Sequence, residues 1–248
     1  MKKYLIIILA VINVMIISSC SKKKDPDPTT QSNNSHFTNT PEAKAVNDNK
    51  SGGIYKGVLK GSSGTVKMIL QDNNVSAVVT FDGVTKTLTT NSLNSWTSGQ
   101  AISNAIFISG DWQLTFSVDA DGLNPQLAVS IPGHTVEVVL IKETSSSLVR
   151  TFEGNYTKAD TTSFVLNCVI IGNQVSFVGF PSKGVLTGDS ISLGGSSENG
   201  FRLAVSLYDD VISGPGSSDK IIKNLDPQNN VTYDTVRVSG FWNANRTR

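Results

Sequence analysis

Side chains able to do chemistry are sparse in this chain, and their sparsity narrows the reactions open to it. Of 248 residues only two are histidine, His36 and His134. A metal centre built on several imidazoles is therefore out of reach. A Ser-His-Asp arrangement would have to use His134, in Pro132-Gly133-His134-Thr135. That segment reads as a turn beside a strand edge, and no G-x-S-x-G elbow accompanies it. His134 is expected to be a solvated turn histidine. No catalytic residue, metal ligand or cofactor is assigned.

Carboxylates are the other possible reagents. Glycoside hydrolysis needs two carboxyl groups about 5–9.5 Å apart, and distant strands can supply them. The candidates are Asp119, Asp121, Glu137, Glu153, Asp189, Asp209 and Asp210. Asp119-Ala-Asp121-Gly122-Leu-Asn124 also matches the opening of a calcium loop, in which oxygen ligands alternate and a glycine makes the sharp turn. It lacks the third spaced acid and the closing glutamate, and Asp-Gly is a common strand-ending turn.

Trp96 is the candidate for recognition. It sits in the polar stretch Asn94-Ser95-Trp96-Thr97-Ser98-Gly99, without apolar neighbours. An exposed loop indole stacks on a sugar face or enters a partner's pocket; alternatively it folds back over a sheet end. Trp112 and Trp242 lie in strand alternation and belong to the core.

The elements that must position these groups are strands. Trp112, Leu114, Phe116 and Val118 alternate with Gln113, Thr115 and Ser117, and Phe201, Leu203, Val205 and Leu207 alternate with Arg202, Ala204 and Ser206. Period 2 with one apolar face is a half-buried strand. Asp82-Gly83 and Gly172-Asn173 supply the left-handed residues of two-residue hairpin turns, and Asp72-Asn73-Asn74 reads as a slightly longer hairpin. The fold expected is all-β, an antiparallel sandwich or barrel.

Landmarks recur about 100 residues apart. Gly53-Ile54-Tyr55 is echoed by Gly154-Asn155-Tyr156, and Asn73-Asn74-Val75-Ser76 by Asn173-Gln174-Val175-Ser176. The Trp112–Asp121 segment is echoed by Phe201–Asp210, and Thr135-Val-Glu-Val138 by Thr235-Val-Arg-Val238. Preserved order predicts two β repeats, residues 53–143 and 144–248, sharing an interface. Whether they form one barrel or two domains is open from sequence.

The N-terminus carries Lys2-Lys3, an apolar run of 14 residues from Tyr4 to Ile17, then Ser18-Ser19-Cys20. This order is that of a secretory signal, residues 1–19, and the run is too short for a membrane-spanning helix. Ile17-Ser18-Ser19-Cys20 resembles the lipobox of bacterial lipoproteins. That resemblance implies a signal peptide removed before Cys20, which is lipidated, with palmitate-type acyl chains as the membrane anchor. At about 0.8 kcal/mol per buried CH₂, several chains on one cysteine hold durably. The chain is further similar to lipid-anchored β-domain lipoproteins of the Bacteroidetes kind, which implies the outer membrane and leaves either of its faces open.

Residues 20–52 read as the lipidated cysteine followed by a flexible tether. Ser, Thr, Asn, Asp, Lys and Pro dominate it, and such a composition buries too little to offset its ordering entropy. Its span is about 30 Å by chain statistics. Without Lys2 and Lys3 the chain carries 19 basic and 20 acidic residues, a balance that offers nothing to nucleic acid. With Cys20 assigned to lipid, Cys168 has no disulfide partner and reads as a small buried hydrophobe. These features together predict an envelope lipoprotein that binds a glycan, a small apolar ligand or an envelope protein without catalysis. The alternative is an envelope glycan hydrolase using paired carboxylates.

Overall fold

The computed structural model describes residues 37–60, 63–178, 183–192, 202–208, 210–225 and 231–247. The expected signal segment, Cys20, His36, Phe201 and Asp209 lie outside them. Strands fill most of the described residues, as the alternation predicts.

The first half is a meander of β1 (Gly53–Lys60), β2 (Gly64–Gln71), β3 (Asn74–Phe81), β4 (Val84–Thr89), β5 (Ile102–Ser109), β6 (Trp112–Val118), β7 (Gln126–Ser130) and β8 (Glu137–Glu143). Tight turns direct it. Asp72 and Asn73 have φ of 55° and 59°, and Asp82 and Gly83 have 49° and 76°. Paired left-handed residues of this kind match the twist of the strands they join. Asn74, expected in the loop of a longer hairpin, is instead the first residue of β3 and pairs with Gln71, so that turn has two residues.

Consecutive strands from β1 to β7 pair antiparallel, and β8 returns to β1, with Ile54 opposite Glu143 and Lys60 opposite Glu137. The sheet ends at β7 on one side and β8 on the other, with no ladder between them. Its concave face is packed with Tyr55, Leu59, Met68, Phe81, Phe107, Trp112 and Phe116. Each fully buried large apolar side chain contributes about 1.5–3 kcal/mol, so burial of these residues stabilises the sheet.

The second half comprises β9 (Val149–Lys158), β10 (Ser163–Val165), β11 (Cys168–Ile171), β12 (Gln174–Phe177), β13 (Lys183–Thr187), β14 (Ser190–Ser192), β15 (Arg202–Tyr208), β16 (Val211–Leu225) and β17 (Val231–Arg246). Here β17 closes on β9, with Gly240 opposite Lys158 and Arg246 opposite Phe152. The interior holds Phe152, Tyr156, Cys168, Phe177 and Trp242. The buried indole of Trp242 donates to the Leu166 carbonyl at 3.0 Å, which satisfies the one polar atom of that ring.

Both halves follow the same up-and-down order, with β10 a hairpin extension of β9. Tyr55 on β1 faces Lys142 on β8, and Tyr156 on β9 faces Trp242 on β17. The two barrel-like sheets keep separate cores and share a third, formed by Val58, Val149, Val169 and Val178 with Val139, Ile141 and Ile171 packed on it. Asn167, fully buried, links them: its amide donates to the Leu59 carbonyl at 2.8 Å and its oxygen accepts from the Gly154 amide at 3.1 Å.

Residues 37–52, grouped with the tether by composition, are bonded to both halves. Arg246 donates to the Thr38 carbonyl at 2.6 Å and to the Asn39 side chain at 2.9 Å, with its guanidinium 5.5 Å from the Phe37 ring centroid. Glu143 accepts from the amides of Glu42 and Ala43 at 2.6 and 3.2 Å. A single 3-10 turn, Ala45–Asn47, follows. Polar bonds to partners far along the chain hold this segment, and a composition argument counts only apolar burial.

Candidate functional site

A cleft of about 530 Å³ opens where β8 faces β11, β12 and β13. Strand parity explains its walls. Val138 and Leu140 pack against the first core, so Val139 and Ile141 face outward, onto the cleft and the shared core. Ile171, Gln174, Ser176 and Lys183 form the opposite wall, and the turn Gly122-Leu123-Asn124-Pro125 forms the rim. Leu123 is 61% exposed there, a large apolar side chain at the mouth of the cleft. Clefts of about 300–1,000 Å³ at domain interfaces, with apolar walls and a few polar groups, are the usual form of a binding site.

Lys142 shapes one end. Its ammonium donates to the carbonyls of Asn47 and Asp48 at 2.7 and 3.1 Å and to that of Lys50, and lies 5.9 Å from the Tyr55 ring centroid. Burial lowers its pKa, against the pull of Asp48 and Asp121. Three donors on three carbonyls make it a structural cation that ties the 3-10 turn to β8. Gly122 leaves room for it: with φ of 83°, a Cβ there would strike both the Lys142 ammonium and the Lys50 carbonyl. Asp48 in turn accepts from the Ser145 hydroxyl at 2.7 Å and its amide at 2.8 Å, bonds that hold its carboxyl below the ordinary range.

Beneath the N-terminal segment lies a buried ion cluster. The Lys56 ammonium is 2.7 Å from Glu143 and 2.9 Å from Glu42, and Lys67 also pairs with Glu42. Partial burial pushes the Glu42 carboxyl up, but hydrogen bonds from Lys67 and Lys56 outweigh it and hold the group below its usual value. The cluster fastens the segment to β1 and β8 and does not line the cleft.

The residues singled out in the sequence are dispersed. Trp96 folds back over the first core, half-buried, and its indole donates to the Gln100 carbonyl at 3.0 Å. His134 stacks edge-on against Phe81, ring centroids 4.9 Å apart. Asp119 accepts from the Asn124 side-chain Nδ2 at 2.8 Å, and Asp121 from the Leu123 backbone amide at 2.9 Å, so both carboxylates shape one turn. Glu137 pairs with Lys60 at 2.9 Å and Asp210 with Arg246 at 3.0 Å, in different halves. Asp189 is exposed and Glu153 half-buried in the second barrel. Cys168 is fully buried, and burial drives its thiol far above the ordinary range. Among the described residues no three His, Cys, Asp or Glu side chains gather as a metal-ligand set.

The cleft was not singled out from sequence, yet two signals mark it. Val138-Val139-Leu140-Ile141 and Cys168-Val169-Ile170-Ile171 are apolar at both parities, the mark of strands covered on both faces. Their outer faces form the shared core and the cleft wall. No family model matches the chain, and no curated protein or solved structure matches it either.

Proposed function

We propose that this protein is a lipid-anchored, non-catalytic binding or accessory module of the cell envelope, held at the outer membrane through Cys20, with its ligand seated in the cleft between the two barrels. The observation that carries the binding reading is the cleft itself: Val139, Ile141 and Ile171 give it an apolar floor, Leu123 rims it, and Gln174, Ser176 and Lys183 supply polar groups on one wall. Of the carboxylates a glycan hydrolase would need, Glu137 and Asp210 are paired away from the cleft, with Lys60 and Arg246, and Asp119 and Asp121 are bonded within the turn at its rim. A duplicated unit of about 100 residues is part of the same reading. The shared strand order and the matched Tyr55 and Tyr156 registers support it.

Anchoring is tested by palmitate labelling in a bacterial host. The full chain takes label and pellets with membranes, and Cys20→Ser loses both; unchanged labelling of the variant rejects the anchor. Binding is tested by ligand-observed NMR with glycan, small apolar and peptide probes. Leu123→Asp is expected to abolish the response. Turnover of an envelope glycan by the purified protein, lost in Glu153→Gln, would replace the binding reading with the enzymatic one.

A further inference from the structure

The cleft wall on the first sheet is also a sheet edge. β8 pairs with β1 on one side and, among the described residues, with no strand on the other. Its counterpart β17 has both sides taken, by β16 and β9. A Cβ built on Gly57 would strike the Val139 carbonyl, so that carbonyl points toward β1. In an antiparallel ladder successive residues turn their N–H and C=O to opposite sides. Val138, Leu140 and Lys142 therefore turn theirs away from β1. Leu140 and Lys142 do so at the cleft, across from the Gly122–Pro125 turn.

Repeating N–H and C=O groups along an edge are complemented by another extended backbone, and open edges of this kind capture strands. Resting on the reading of the cleft as a binding site, we infer that its ligand is an extended polypeptide segment that adds to β8 beside Leu140 and Lys142. Four backbone groups orient the segment. Its side chains alternate, as in any strand, so every second residue turns to the outer face, where Ile141, Ile171 and Leu123 are apolar. The class of ligand is thus a polypeptide with alternating apolar residues. A glycan has no matching ladder, and a compact apolar molecule would leave the edge unused.

The experiment selects peptides on the full chain from a random-peptide display library, with glycan and small apolar probes screened in parallel. Selected peptides are expected to alternate apolar and polar residues, to slow amide exchange at Leu140 and Lys142, and to lose binding in Leu123→Asp. N-methylation at every second backbone position should weaken binding by at least about tenfold, with the intervening positions silent. This perturbation sits in the probe, so misfolding of a variant cannot imitate it. Uniform tolerance of N-methylation, or protection away from β8, overturns strand addition. A glycan or apolar probe that binds the cleft while no peptide is selected also overturns it, and leaves the binding reading standing. If no probe of any class binds, both fall.

Discussion

Lys56 and Glu143 form an ion pair of 2.7 Å between side chains that are 2% and 0% exposed, on neighbouring strands β1 and β8. The two partners are not equivalent. Glu143 also accepts the amides of Glu42, Ala43 and Val149, the last at 3.0 Å, so four donors converge on it. Lys56 keeps Glu42 as a second acceptor.

Removal of Glu143 is therefore expected to cost more than removal of Lys56. Glu143→Ala leaves three amides without their acceptor and a buried ammonium with Glu42 alone, and should cost about 3–5 kcal/mol, the range for breaking a buried pair from one side. Lys56→Met leaves a carboxylate that still receives three amide hydrogen bonds, and should cost clearly less. Urea unfolding of both variants measures the difference; equal losses would mean that the amides contribute little.

Glu42 makes the same cluster sensitive to acid. Its carboxyl is held below its ordinary value of 4.5 by Lys67 and Lys56 in the folded state. A group with a depressed folded pKa adds stability that is present above the unfolded value and lost as pH falls through the folded one. Stability is expected to decline as pH drops below about 4.5, with Glu42→Gln flattening that part of the profile. Thermal melts across this window read it directly, and superimposable profiles would exclude Glu42 as the source.

Much of the fold was legible because strand alternation and turn chemistry are local. Trp112, Leu114, Phe116 and Val118 are buried in the predicted parity, and Asp82-Gly83 and Gly172-Asn173 sit between paired strands. Tyr55 and Tyr156, paired as landmarks in the sequence, lie on the first strand of their respective halves. The ordered segment 37–52 was not legible. Its partners Glu143 and Arg246 lie about 100 and 200 residues away, and nothing local signals them. Trp96 folds back over a sheet end, one of the two outcomes open to a loop indole, and the choice was not local: its apolar contacts come from the first core, not from its polar sequence neighbours. The cleft and the open edge of β8 are products of how strands from two halves meet, which periodicity within one strand does not encode.

Cys168 offers a probe of global opening. Its thiol is fully buried and driven upward by desolvation, with Arg150 pulling weakly the other way. Thiolate is the reactive form, so alkylation by iodoacetamide should be negligible in the native protein and appear with the unfolding transition. Rapid modification under native conditions would show that the second core opens locally.

Asn167 carries the last expectation, which concerns cooperation between the halves. Its side chain is wholly buried and spans the junction, donating to Leu59 in β1 and accepting from Gly154 in β9. Asn167→Ala leaves a buried carbonyl without that partner, a cost of about 1–3 kcal/mol, and a part-buried amide, a smaller one. Because one orphan lies in each half, the loss falls on their junction as well as on either core. Unfolding followed at Trp112 and Trp96 in the first half and at Trp242 in the second should coincide in the parent chain. In Asn167→Ala the midpoint should fall, and the two signals, separated by Trp242→Phe or by fluorine labels, should part. A lowered midpoint with signals still coincident would mean that the valine core of Val58, Val149, Val169 and Val178 couples the barrels by itself.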